Sequence, residues 1–328
     1  MFRSKCVRFG LIFLAFLLLI SSGQSLAAEK KALTWGTTAS TSGVFPYYVF
    51  TAKMLNESIP EINITVRATG GGIHNMRMME KGEIDIGSCP TANSWEVVNG
   101  KGAFEGKPFP DIRLLNVIMT NGLQMVVSEK SGVKTLADLE GKKFCPGQLG
   151  GGIEQYVKDI FRILGIHPDL RFMSMADSID AMKDERIIGL AKMGVPDASI
   201  MDISSGMKIR ILSFTDAELD KVVKSVPGLR KTEFPSGIYR GVEGFKTLEN
   251  EWSDFVRKDF PEDIAYKIIK TLWEHRAENK KMDARCLGDR LLEVTLGVKT
   301  NYMHPGVIKF CREQGYTVPT GLIPPEMK

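Results

Sequence analysis

The chain has 328 residues, with 43 Lys and Arg against 39 Asp and Glu, and 25% of its residues are charged. The length allows two α/β domains, each with a sizeable core. The near-balance of charge excludes a global basic field for nucleic acid or a membrane surface, and the average composition excludes disorder and low complexity.

In chain order, residues 1–28 carry Arg3, Lys5 and Arg8, then the unbroken apolar run of residues 11–20 (LIFLAFLLLI), then Ser25-Leu26-Ala27. This is the pattern of a cleavable secretory signal peptide. The run is shorter than the ~20 residues that span a bilayer, so the expected address is the periplasm. Three basic residues fall in this leader, which leaves 40 basic against 39 acidic. Cys89, Cys145, Cys286 and Cys311 follow it, with no CxxC or zinc spacing. Cys286 and Cys311 could pair; Cys89 and Cys145 are expected as free, buried thiols.

Residues 31–37 (KALTWGT) read as a strand, followed by a loop rich in hydroxyls and glycine and a helix to about residue 57, with Pro46 in its first turn. Residues 61–69 read as the second strand, 73–81 as a helix and 84–89 as a third strand. A helix to residue 98 follows, with residues 91–94 as its cap. Such β-α alternation predicts a largely parallel sheet. Residues 113–120 and 124–130 read as two extended segments. A fresh strand at 142–145, a second glycine turn and a helix at 153–164 restart the pattern. A helix from 178, an apolar run at 187–193, a turn at 194–196, a helix at 198–205, a strand at 208–214 and a helix at 216–226 complete this unit. The return crossing is expected near 234–241, and the remainder is expected to be helical: 252–258, 264–278, 287–296 and 306–314.

Two stretches share one design. Thr69-Gly70-Gly71-Gly72-Ile73-His74-Asn75 follows a strand and opens a helix, and so does Gly147-Gln148-Leu149-Gly150-Gly151-Gly152. Each places backbone N–H groups at a helix start, where carboxylates and other anions bind. Taken singly, such glycines equally suit a tight turn. The candidate ligand contacts are Thr37, Ser40, Ser42, Gly43 and Phe45 from the first loop; Thr69, Gly71, Gly72 and Asn75 from the first turn; Thr91 after the third strand; Gly147, Gly151 and Gly152 from the second turn; and Pro196 and Tyr239 on the wall. An ordinary exposed role suits His74 better than a ligand contact, and core packing suits Met76, Met78 and Met79 better than a metal site.

The chain resembles the TAXI-type solute-binding proteins of tripartite ATP-independent periplasmic (TRAP) transporters. The resemblance rests on Ser42-Gly43-Val44-Phe45 after the first strand, residues 68–75, Lys81-Gly82-Glu83-Ile84-Asp85-Ile86-Gly87, residues 136–143, Pro235-Ser236-Gly237-Ile238-Tyr239 and residues 304–310. It implies a type II periplasmic binding protein fold, α/β, with two βα lobes joined by a hinge and a ligand cleft between them. With the leader removed, the lobes are expected at 29–127 plus 240–328 and at 128–239. It further implies a small acidic solute such as glutamate or 2-oxoglutarate, no cofactor, a TRAP membrane subunit as partner and a monomer. Gly150 to Gly152 lack the hydroxyl usual at the second turn, and Gly72 and His74 replace a small hydroxyl and an acid at the first, so the contacts expected are mainly backbone N–H groups.

No GK[ST] follows the glycines, and neither GxSxG nor HExxH occurs, so an enzyme is not expected. Two alternatives to a TRAP receptor share the same cleft: a ligand-sensing module for a membrane receptor, and the binding protein of an ATP-driven importer.

Overall fold

The computed structural model describes residues 30–40, 42–149 and 152–328. The expected signal peptide lies outside the described residues, as does Gly151 of the second turn.

Two groups of three parallel strands follow one plan. In the first, β1 (Lys31–Gly36) lies between β2 (Ile62–Arg67) and β3 (Ile86–Pro90). Parallel neighbours need crossovers, supplied by α1 (Phe45–Ser58) and α2 (Gly72–Glu80), and α3 (Thr91–Asn99) leaves the end of β3. The strand β4 (Ile112–Ser128) then carries the chain into the second group. There β5 (Lys143–Cys145) lies between β6 (Asp169–Leu170) and β7 (Gly189–Met193), with α4 (Gly152–Leu164) and α5 (Met175–Lys183) as crossovers. Next come α6 (Ala198–Gly206), β8 (Ile209–Ile211), α7 (Asp216–Ser225) and β9 (Leu229–Phe234). Side chains fix several of these helix starts. Asp197 accepts from the N–H groups of Ser199 and Ile200 at α6, and Thr215 and Glu218 form a reciprocal capping box at α7.

The return strand is β10 (Phe245–Arg257). It pairs antiparallel with β9 in its first half, with β3 at residues 252–256 and with β4 at residues 249–257. The later part of β4 pairs antiparallel with β7 and β8. The first group therefore runs β2-β1-β3-β10-β4 and the second β6-β5-β7-β4-β8. In each, the antiparallel strand is one that crosses between the groups. The helices α8 (Glu262–Glu274), α9 (Arg276–Met282), α10 (Leu291–Gly297) and α11 (Pro305–Glu313) return to the first group. Tyr266 of α8 meets Phe310 of α11 edge to face at 5.8 Å.

Three buried clusters fill this frame. One joins Trp35, Tyr48, Ile86, Phe255 and Ile268. A second joins Phe144, Val157, Phe161 and Leu219, and a third Leu190, Ile203 and Tyr239. All four cysteines beyond the leader are buried and free, so the pairing open to Cys286 and Cys311 does not form.

Two expectations are corrected. Residues 252–258 are not a helix but the end of β10 and the turn beyond it. Trp252, Phe255 and Val256 fall at i, i+3 and i+4, which fits a helical template. Their real cause is a strand sandwiched between β3 and β4, with register shifts at Trp252/Ser253 and Asp254/Phe255 that break the alternation of a strand. Residues 112–128 are one continuous strand, not two segments. Gly122 in its middle is a close approach: a Cβ there would lie 2.4 Å from Phe234 Cε2.

Candidate ligand cleft

Between the two groups lies a cleft of about 930 Å³. From the first group it is lined by Thr38, the turn at residues 70–74, Pro90, Asn93 and Glu96. From the second come Ile153, Gln155, Tyr156, Asp159 and Arg162 of α4, with Met193 and residues 225–227. Its floor carries Asn121 of β4 and Asn250 and Trp252 of β10. This is the size and setting of a small-molecule site.

The first glycine turn is built from the end of β1. The Asn75 carboxamide donates to the carbonyls of Thr37 and Ser88, each at 2.7 Å, and accepts from Thr69 Oγ1 at 2.6 Å. Thr69 Oγ1 in turn accepts from the Gly71 N–H at 3.0 Å. Gly71 has φ 76° and ψ −176°, a conformation open essentially to glycine alone. It turns the chain so that α2 starts at the cleft. No side chain caps α2, and among the described residues the N–H groups of Gly72, Ile73 and His74 have no acceptor. The Trp252 indole lies beside the turn, with Cη2 3.9 Å from the point where Gly71 would carry a Cβ. Its Nε1–H donates to the Tyr48 hydroxyl.

The sequence-predicted residues divide by place. Gly71 and Gly72 line the cleft. Thr37, Thr69 and Asn75 hold the turn from behind; Asn75 is fully buried, and its bonds are those of a brace, which is a different role from the direct contact expected. Thr91 is also buried and donates to Glu251 Oε2 at 2.6 Å, instead of capping α3. Ser40 and Gly43 are exposed and Ser42 and Phe45 half-buried at the mouth of the first loop, away from the cleft lining. Tyr239 is buried in the second group's core, accepts the Asp197 N–H at 2.9 Å and is pushed up to about 12 by burial. Pro196, half-buried, precedes Asp197 and is likewise outside the lining. Gly147 has φ 120° and lies 3.6 Å, from its Cβ position, from the Glu154 nitrogen at the start of α4. Gly152 begins α4.

Several cleft residues were missed. Trp252 was hidden by reading residues 252–258 as a helix, and Asn250 lies in the part of β10 just before it, to which no element was assigned. Tyr156 sits on the cleft side of α4, and its hydroxyl donates across to Asn93 Oδ1 at 3.2 Å, joining the two groups. Burial raises both the Tyr156 hydroxyl and the Glu96 carboxyl. Gly228, with φ 88°, packs on the start of α3. Behind it, Arg230 pairs with Glu249 at 3.3 Å and with Glu251.

A family model described as the NMT1-like family matches residues 36–315. The chain belongs to the NMT1-like family. Among solved structures it is similar to a protein of Bordetella bronchiseptica RB50, at 11% identity over 88% of this chain and 99% of that one, TM-score 0.51. It is similar to XAC2383 from Xanthomonas citri bound to ATP, at 11% identity over 87% and 95%, TM-score 0.51. It is also similar to the periplasmic aliphatic sulphonate binding protein SsuA from Escherichia coli, at 14% identity over 87% and 84%, TM-score 0.47. At these identities the likeness concerns the fold. This NMT1-like chain has the expected two-lobe α/β fold, and among its described residues no helix is long and apolar enough to cross a membrane.

Proposed function

We propose that this NMT1-like protein is an extracytoplasmic solute-binding receptor. It is exported to the periplasm, takes a small carboxylate or amino acid into the cleft and delivers it to a TRAP membrane subunit. One observation carries this reading: the uncapped start of α2, with its unaccepted N–H groups, opens into a cleft of about 930 Å³ between the two halves. A helix start of this kind favours a carboxylate, and each charge-assisted hydrogen bond contributes about 1.5–3 kcal/mol.

The lobes proposed are residues 29–127 with 240–328, and residues 128–239. The carboxylate meets the backbone of Gly71 and Gly72 first, and closure brings the turn of Gly147, Gly151 and Gly152 onto it. Closure is a shift in population that follows from tighter binding in the closed state. The TRAP assignment rests on the six sequence stretches; an ATP-driven importer or a sensor would use the same cleft.

A thermal-shift screen of dicarboxylates, 2-oxo acids and amino acids tests the reading. A ligand at 100 times its Kd adds about 2.7 kcal/mol to stability. Stabilisation by sugars or cations alone, with none by acids, would sink it. For the partner, proteoliposomes holding a TRAP subunit should show uptake that follows an ion gradient and needs this protein; uptake only with an ATPase and ATP would move the assignment to the other importer class.

A further inference from the structure

We infer that Glu96 receives a cationic group of the solute, so that the acid held at the start of α2 is an amine-bearing one, not a dicarboxylate or a 2-oxo acid. This rests on the carboxylate-receptor reading above. Glu96 is half-buried and lines the cleft. Its Oε2 accepts one long hydrogen bond, from Asn93 Nδ2 at 3.4 Å. Its Oε1 is open to solvent and has no hydrogen-bond partner among the described residues. The carboxylate lies over Gly102, which also lines the cleft, with Oε1 3.3 Å from the point where Gly102 would carry a Cβ. No side chain of that residue covers it.

The carboxylates around Glu96 have cations of their own. On α4, Glu154 has Lys158 at 3.0 Å and Asp159 has Arg162 at 2.9 Å. On β10, Glu249 and Glu251 share Arg230. Glu96 has no ion-pair partner among the described residues. It also faces a second acid. The Tyr156 hydroxyl meets Asn93 at 3.2 Å between α4 and α3, and Asp159 and Glu96 each follow by three residues, on the same faces of those helices and in the lining of the cleft. Burial pushes the Glu96 carboxyl up, the Asn93 hydrogen bond lowers it and the Asp159 carboxylate raises it again. An arriving cation relieves both the burial and the repulsion, and a second carboxylate would add to them. One small molecule can reach both ends of the site. Pro90 Cδ is 3.5 Å from the Gly72 Cβ position at the α2 start, and Glu96 is six residues beyond Pro90, about 9 Å of helix. Helical side chains lean toward the N-terminus, which brings the Glu96 carboxylate back toward that start.

The test is calorimetric titration of the purified protein with matched sets that keep one carboxylate and change the rest: 4-aminobutyrate, butyrate and succinate; 5-aminovalerate, valerate and glutarate; and, for an amine beside the carboxylate, norvaline, valerate and 2-oxovalerate. In whichever set binds, the amine-bearing member should bind about tenfold or more tightly than its counterparts. Glu96→Gln, of the same shape but uncharged, should close that gap by weakening the amine-bearing member, and Glu96→Lys should turn the preference toward succinate or glutarate. If acids bind to the native protein, in these sets or in the wider screen, and an acid without an amine is equal or better, the inference is overturned and the receptor reading stands. A gap that persists unchanged in folded Glu96→Gln or Glu96→Lys overturns it as well. If no acid in these sets or in the wider screen binds to a cooperatively folded protein, the receptor reading itself fails and this inference fails with it.

Discussion

Gly228 offers a direct test of how closely the two halves approach. A Cβ there would sit 2.7 Å from both the N and Cα of Ala92 and 3.1 Å from the Thr91 carbonyl carbon. All three are backbone atoms of a helix start and have no rotamer by which to move aside. Relief requires the loop before β9 to back away from α3 by roughly 0.7 Å to reach ordinary contact, an overpacking cost of about 1–3 kcal/mol. The residue also has φ 88°, which adds about 1–2 kcal/mol for alanine. Gly237 separates these effects, since it has φ 87° and nothing within 4 Å of its Cβ position. Gly237→Ala should therefore show the conformational cost alone, and Gly228→Ala both, about 2–5 kcal/mol or roughly 4–10 °C in Tm. Thermal melts of the two variants and the native protein decide the matter. Equal losses in the two variants would refute the close approach of α3 and the loop before β9.

Three further outcomes follow from the interior. Asp254 is buried with Oδ1 accepting from Trp35 Nε1 at 3.0 Å and from Ser88, and burial raises it to about 7. Against about 3.9 in the unfolded chain, the fold holds the extra proton between those values, so this contribution to stability is full below pH 4 and lost as pH rises through 7. Asp254→Asn should thus gain relative to the native protein from pH 5 to pH 8 in urea titrations, by up to about 2.6 kcal/mol; parallel profiles would contradict a raised carboxyl. His304 acts in the opposite sense. Buried, with Nε2 against the Phe260 carbonyl at 2.9 Å, it is lowered to about 4, and against about 6.5 unfolded its contribution is lost as pH falls from 6.5 toward 4; His304→Asn should flatten the acid limb of the stability profile. Asn75→Ala removes the carboxamide donor from the Ser88 carbonyl, leaves the Thr37 carbonyl with Thr69 Oγ1 and takes away an acceptor of Thr69, and should cost about 1–3 kcal/mol; a fully stable variant that has lost only ligand affinity would restore Asn75 as a direct contact.

The βα rhythm of the first half was legible because its strands are short apolar runs with glycine or hydroxyl stops, as in residues 84–89. The first glycine turn was legible as a turn, and Gly71 does open a helix start onto the cleft. What could not be read was which side chains of that turn face outward. Asn75 is one helical turn beyond the glycines in the sequence, but only the fold brings the carbonyls of Thr37 and Ser88 to it from two different strands. The long crossing strands were obscured for a related reason. Buried on both faces, β10 has no alternating pattern to display, and its two register shifts bring Trp252, Phe255 and Val256 into helical spacing. Trp252 of the cleft floor was lost with it.

In the proposed closure, those crossing strands would tie movement to recognition. The antiparallel strand of each group is the one that belongs partly to the other, so the halves can rotate only by twisting β4 and β10 where they pass between. In the β4–β10 register, Glu249 stands opposite Gly122 and Asn250 opposite Asn121, and a bulge follows at Trp252/Ser253. A glycine without a side chain to resist bending and a bulge that concentrates twist thus bracket Asn250. Asn250 and Trp252 are cleft floor and part of the crossing segment at once. A ligand that engages them meets geometry that changes as the halves rotate. Its affinity must then differ between open and closed forms, and that difference is the only thing by which a ligand can drive closure.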